Sequence, residues 1–217
     1  MIKVIIFDFD GLLVNSQPLQ FRAYNEVFSA EGAPMSHKDW EEWVQNSYSV
    51  KQWIDKNELD LDPEEIRKKK HAIYKNLIKK EIELKPGAKD LVMRLGEKYR
   101  LCIGSASSKE NIITILESFG IKEKFEEVFS CLGTKKVKPF PDVFLKAAED
   151  MGVGADECIV FEDSVAGLEA AKAAGMKCVV CPDDFFELDL VIFKGADLIV
   201  NSLEEVEKIN SFIQFVA

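Results

Sequence analysis

The chain has 217 residues, 47% of them hydrophobic and 30% charged, which is enough to bury an ordinary core without disulfides or structural metals. Its net charge of −10, from 28 Lys and Arg against 38 Asp and Glu, excludes a general nucleic-acid or membrane-surface binder, because polyanions are repelled on average. No run approaches the roughly 20 apolar residues of a membrane helix, and the opening MIKVIIFDFDG is too short for a signal peptide and is cut by Asp8 and Asp10, so a reducing cytoplasm is the expected compartment.

The first element is the β-branched and aromatic run 3–7, which reads as a fully buried strand. The stretch 17–82 then carries no strand signal and reads as helices at about 17–31, 36–45, 49–57 and 62–82. Pro86-Gly87 punctuates the return to alternating strands and helices. Buried strands are expected at 100–104, 158–161, 177–180 and 197–200, with a shorter one near 128–130. Between them lie helical patterns at 86–98, 108–119, 141–151, 164–174 and 202–210, several ending in Gly. This alternation predicts an α/β fold with a doubly wound parallel sheet. The expected organisation is a core of 1–16 and 83–217 with an inserted helical cap, 17–82, that could act as a hinged lid.

Five cysteines, Cys102, Cys131, Cys158, Cys178 and Cys181, are odd in number, and several sit in apolar runs, so buried free thiols are expected. Cys178 and Cys181 have CxxC spacing, but no second pair completes a zinc site.

Polar groups cluster where the predicted strands end. Asp8 and Asp10 follow the first strand, Ser105 follows RLCIG, and Glu162 and Asp163 follow CIVF. In a parallel sheet the ligand site lies at the carboxyl ends of the strands. Four carboxylates converging on that edge repel one another unless a cation sits among them. Oxygen donors with no nearby His favour Mg²⁺ over zinc.

The segments DFDGLLVNS, GSAS, KVKPFPD and VFEDSVAGLEAA, in this order and spacing, resemble the four motifs of the haloacid dehalogenase superfamily. The closest likeness is to the subgroup with a helical cap inserted after the first motif, which holds β-phosphoglucomutase-like proteins and many small-molecule phosphatases. The resemblance runs from residue 2 to about residue 202. It implies a nucleophile at Asp8, forming an aspartyl phosphate, and a general acid and base at Asp10. It implies phosphate binding by Gly11, Ser105, Ala106 and Lys138, and Mg²⁺ held by Asp8, Asp10 through its carbonyl, Asp163 and Glu162. Asp10 argues against the halide-displacing branch, which lacks that second carboxylate.

Caps of this subgroup often begin DSEPLH, where this chain has Asn15-Ser16-Gln17-Pro18-Leu19-Gln20. The mutases also use a cap arginine, and here Gln45–Lys51 offers only Lys51. Asn15, Gln20 and Lys51 are therefore the candidate substrate contacts, with Tyr24, Trp43, Asn46 and Ser47 as further cap candidates. These departures favour hydrolysis of a small phosphomonoester over phosphosugar mutase chemistry. A catalytically weak binding or regulatory relative is the third reading. The expected partner is a small phosphorylated metabolite, with no nucleic acid and no membrane. The sequence leaves the oligomeric state open, with a monomer favoured. The run Arg67-Lys68-Lys69-Lys70 reads as a solvated helix face, and Trp40, Trp43 and Trp53 read as packing within the cap.

Overall fold

The computed structural model describes residues 1–46 and 48–216; the cap candidate Ser47 lies outside the described residues. The chain opens with β1 (Val4–Phe7) and passes into four helices, α1 (Gln17–Ala30), α2 (His37–Gln45), α3 (Val50–Lys56) and α4 (Pro63–Glu81). It continues through α5 (Ala88–Leu95), β2 (Arg100–Ser105), α6 (Lys109–Ser118), β3 (Phe125–Ser130) and α7 (Asp142–Asp150). The last elements are β4 (Cys158–Glu162), α8 (Val165–Ala173), β5 (Lys177–Val180), β6 (Leu198–Ile199) and α9 (Val206–Val216).

All six strands pair in parallel, in the order β3-β2-β1-β4-β5-β6. The apolar runs are continuous because helices cover both faces. Val4 and Ile6 of β1, Cys158 and Val160 of β4, and Cys178 and Val180 of β5 share one cluster with Phe144 of α7 and Leu168 of α8. Residues of the other parity point to the opposite face, where Phe7 stacks on Phe161 with ring centres 4.9 Å apart. There Leu101 lies against Gly96, at the end of α5.

The chain divides into two compact units, 1–14 with 84–217 and 15–83. In the helical unit the helices begin where side chains satisfy the free amides of the first turn. Ser36 and Ser49 form capping boxes with Asp39 and Gln52, and Asp62 caps α4 ahead of Pro63. Leu19 and Ala23 of α1 pack on Tyr74 of α4. The three tryptophans pack on one another, with ring centres 5.7 Å apart for Trp40 and Trp43 and 5.2 Å for Trp43 and Trp53.

The structure differs from the expectation in several places, β3 among them, which begins at Phe125 rather than near 128. Helix α9 starts and ends later than 202–210, because Ile209 and Ile213, one turn apart and both buried, anchor it past Asn210 and Ser211. The Arg67–Lys70 run is also not uniformly solvated. Lys70 turns its ammonium to within 4.2 Å of the Tyr74 ring centre and 4.8 Å of the Tyr24 ring centre, and donates to Gln20.

Candidate active site

In this strand order the winding reverses between β1 and β4, which puts the crevice for a ligand beside the carboxyl ends of those strands. Phe7 is in register with Ile103 of β2 and Phe161 of β4, so the next residue of each strand brings Asp8, Gly104 and Glu162 to one level. The Asp8 amide continues the ladder by donating to the Phe161 carbonyl at 2.8 Å.

Lys138 enters this level from the loop before α7, through a cis peptide to Pro139. Its ammonium has three protons and three acceptors: Asp8 Oδ1 at 2.5 Å, Glu162 Oε1 at 2.6 Å and the Gly104 carbonyl at 2.9 Å. Burial alone would favour the neutral amine, but the charges of Asp8 and Glu162 overcome it and hold the pKa above the ordinary lysine range. The other oxygen of Glu162 accepts from the amides of Asp163 and Ser164, at 3.1 and 3.2 Å, and from the Ser164 hydroxyl at 3.0 Å. Gly167, in the first turn of α8, leaves room for that carboxylate, since a Cβ there would fall 1.8 Å from its carboxyl carbon.

Asp8 and Asp163 are each 6% exposed, and Glu162 is fully buried. One oxygen from each of the three lies within 4.8 Å of the others. Burial pushes the Asp8 carboxyl up to about 7, against the opposing pull of Lys138, with Glu162 adding to the rise. Burial, then Glu162 and Asp8, raises Asp163 well above the usual carboxylate range. These are carboxylates short of positive charge. The donor set is all oxygen, and a further buried carboxylate oxygen, Asp183 Oδ2, has no hydrogen-bond partner among the described residues. The residues present therefore fit a hard divalent cation such as Mg²⁺.

Asp10 lies two residues beyond Asp8, and its Oδ2 accepts from the Ser107 hydroxyl at 2.5 Å. The Ser107 amide donates to Ser105 Oγ at 3.1 Å, so the Ser105 proton is left to face another acceptor. Ser130 ties this turn to β3 by donating to the Ser107 carbonyl at 2.7 Å. Gly11 turns the chain at φ 85°, and an added Cβ would lie 2.2 Å from Asp163 Oδ2.

The model of one protein family, described as haloacid dehalogenase-like hydrolase, matches residues 5–181. This chain is a haloacid dehalogenase-like hydrolase. Hexitol phosphatase B of Escherichia coli is 30% identical, the match covering 94% of this chain and 94% of that protein. Fructose-1-phosphate phosphatase YqaB of Escherichia coli is 29% identical over 81% of this chain and 94% of that protein. The crystal structure of CbbY from Rhodobacter sphaeroides in complex with phosphate superposes with a TM-score of 0.84 at 28% identity, covering 98% of this chain and 100% of that one.

Among the expected site residues of this hydrolase, Asp8, Ser105, Lys138, Glu162 and Asp163 lie at the carboxyl edge of β1, β2 and β4, with Asp10 tied in through Ser107 and Gly11 against Asp163. Ala106 follows Ser105 as an exposed residue. Asn15, Gln20 and Lys51 belong to the helical unit. There the Asn15 amide donates to the Glu83 carbonyl at 2.9 Å, and Gln20 accepts from Lys70. Lys51 pairs with Asp55 at 2.6 Å on an exposed face. The Asn46 side chain caps α2 through the Glu42 carbonyl at 2.8 Å. All five cysteines are free and buried, and no described helix is long and apolar enough to cross a membrane.

The sequence reading passed over Ser107, Asp183 and Lys85. Asp183-Asp184 follows the KCVV strand after two intervening residues, where Glu162-Asp163 follows CIVF directly. The same strand-end signal was therefore present one strand further along the sheet.

Proposed function

We propose that this chain is a Mg²⁺-dependent phosphatase of small phosphorylated sugars or polyols that works through an aspartyl phosphate at Asp8. The observation that carries the reading is Asp8 itself: a buried carboxylate aimed by Lys138, two residues before Asp10 and beside Asp163. The substrate class is supported by the names of the two phosphatases to which the chain is similar.

Asp8 attacks phosphorus while the bond to the leaving oxygen breaks, and Asp10 gives that oxygen its proton. A water then attacks the aspartyl phosphate, Asp10 takes the water's proton, and Asp8 is released with inorganic phosphate. Ser107 holds the Asp10 carboxylate in place for both transfers. The Ser105 hydroxyl and Lys138 ammonium offset charge on the phosphoryl oxygens. Glu162, with both oxygens already engaged, serves by fixing Lys138 and Ser164. Asp8, Asp163 and the Asp10 carbonyl would hold Mg²⁺, which when bound screens Asp8 from the incoming phosphate charge and lines up the reacting oxygens. Lys51 is paired with Asp55 and is a poor clamp for a second phosphate, which favours hydrolysis over a mutase.

The test is phosphate release from a panel of sugar, polyol and nucleoside phosphates, with Mg²⁺ and with EDTA. Release that requires Mg²⁺ supports the reading, and release undiminished in EDTA overturns its metal dependence. No release from any ester, with isomerisation of a sugar phosphate when primed by a bisphosphate, would make the chain a mutase.

Two further results are expected. Gly11→Ala should lower phosphate release about 100-fold, because its Cβ drives into the Asp163 carboxylate and misplacements of about 1 Å cost that much. Activity within twofold of wild type would mean that this approach is not needed. The second result is a pH-dependent response to Mg²⁺. Asp8 is raised from 3.8 to about 7, so without a cation its contribution to stability is full below 3.8 and is lost as pH rises through 7. A cation favours the ionised form. Saturating Mg²⁺ should therefore raise Tm by about 5 °C at pH 8 and hardly at all at pH 5. Equal gains at both pH values would place the Mg²⁺ effect elsewhere.

A further inference from the structure

Asp183 lies three residues beyond the end of β5, next to β4 in the sheet. The Cys181 amide still follows the ladder, donating to the Glu162 carbonyl at 2.8 Å, and the chain then turns back over the strand ends. Asp183 is 2% exposed, deeper than Asp8 or Asp163. Its two oxygens are treated differently. Oδ1 accepts from the Lys85 ammonium at 3.0 Å and from the Phe185 amide at 3.0 Å. Oδ2 is buried and has no hydrogen-bond donor among the described residues.

A buried carboxylate oxygen without a donor is costly and calls for one. Its direction is fixed by Gly11. A Cβ placed there would lie 2.2 Å from Asp163 Oδ2 and 2.7 Å from Asp183 Oδ2, so the two oxygens are neighbours across that one glycine. Asp183 falls outside the group of three whose oxygens approach within 4.8 Å of one another. It is therefore placed to meet something bound to Asp8 and Asp163 rather than to share directly in holding it. Lys85 is set up to keep it there. Its side chain is only 10% exposed, and it binds the buried Asp183 and the exposed Asp184 together.

We infer that Asp183 is a positioning residue for the cation: Oδ2 accepts a hydrogen bond from a water ligand of the Mg²⁺ held on Asp8 and Asp163, with Lys85 clamping Oδ1. The inference rests on the Mg²⁺-dependent reading of the site. Mg²⁺ keeps several waters when it binds to proteins, so it brings donors of the kind this oxygen lacks. Residues that bond to the ligands of a metal, rather than to the metal, typically change its affinity 10- to 100-fold when replaced.

The experiment is calorimetric titration of Mg²⁺ into wild type, Asp183→Asn and Asp184→Asn, with Tm in EDTA for each. Asp183→Asn should weaken Mg²⁺ binding at least 10-fold, and excess Mg²⁺ should restore most of the turnover. Asp184→Asn shares the Lys85 contact but faces solvent and should bind Mg²⁺ as wild type does. An Asp183→Asn protein with wild-type affinity overturns the inference, since a purely structural pair with Lys85 lowers Tm and leaves Mg²⁺ binding alone. Equal weakening by Asp184→Asn also overturns it, by placing the effect in Lys85. If Asp183→Asn does not fold, Asp183→Glu keeps the charge while shifting the oxygens, and is read in the same two ways. A wild type that binds no Mg²⁺ would overturn the metal reading itself, a result distinct from unchanged affinity in the variant.

Discussion

Replacing Asp8 with Asn is expected to lower phosphate release by at least about 10⁴-fold while leaving the fold intact, because loss of a nucleophile typically costs that much or more. An amide oxygen is too weak a nucleophile to form the aspartyl ester. Glu162 has both oxygens occupied, and Asp10 is held by Ser107. The fold survives because Asn keeps the shape of Asp, and the Lys138 ammonium retains the Glu162 carboxylate and the Gly104 carbonyl as acceptors. The stability effect also has a definite sign. Burial outweighs Lys138 at Asp8 and raises its carboxyl to about 7, so at pH 8 without a cation the ionised form opposes folding. Asp8→Asn should then match or exceed the wild-type Tm in EDTA at pH 8, and should lose most of the Tm gain on Mg²⁺ addition. Normal turnover in this variant would remove Asp8 as the nucleophile. Lost turnover together with a collapsed Tm would make its role structural.

The parts of this site that were legible in the sequence are those fixed by local chemistry. A continuous apolar strand in a parallel sheet is buried, so the runs 3–7 and 158–161 located two strands, which the structure pairs side by side, and the carboxylates after them emerge at one edge. What the sequence does not carry is the partner of each group. Three serines stand in GSASS, and only contact with Asp10, 97 residues earlier, distinguishes Ser107 from its neighbours. Glu162 reads as a metal ligand by resemblance, and one of its oxygens does lie within 4.8 Å of those of Asp8 and Asp163, but the sequence does not show that its oxygens also accept from Lys138 and from the amides that open α8. Asp183 needs Lys85, 98 residues away in sequence, before its orientation means anything. The end of α9 was misread for a related reason. Asn210 and Ser211 are weak helix formers, but burial of Ile209 and Ile213 on either side of them is worth more than the local preference.

Lys138→Met is expected to cost about 3–5 kcal/mol of stability at pH 8, besides abolishing most of the phosphate release. Among the described residues, Lys138 is the one side-chain cation bonded to Asp8 and Glu162, and its side chain is only 9% exposed. Removing it leaves two buried carboxylates facing each other and takes the Lys138 donor from the Gly104 carbonyl. Methionine fills the volume and keeps contact with Phe144, whose ring centre lies 4.8 Å from the ammonium, so the loss reflects charge rather than a cavity. The cost should depend on pH in a definite direction. Without its counter-ion Asp8 must rise further above the value of about 7 that it has beside Lys138, so at pH 5 it binds a proton and the repulsion with Glu162 fades. Urea unfolding in EDTA should therefore give a smaller loss at pH 5 than at pH 8. Adding Glu162→Gln to Lys138→Met should recover part of the loss, since it removes one of the two orphaned charges. Lys138→Arg should not substitute, because a flat guanidinium cannot reach three acceptors converging at 2.5–2.9 Å on a single nitrogen. A loss below about 1 kcal/mol, equal at both pH values, is the size of a surface ion pair and would mean that the bridge between β1 and β4 is not made by this ammonium.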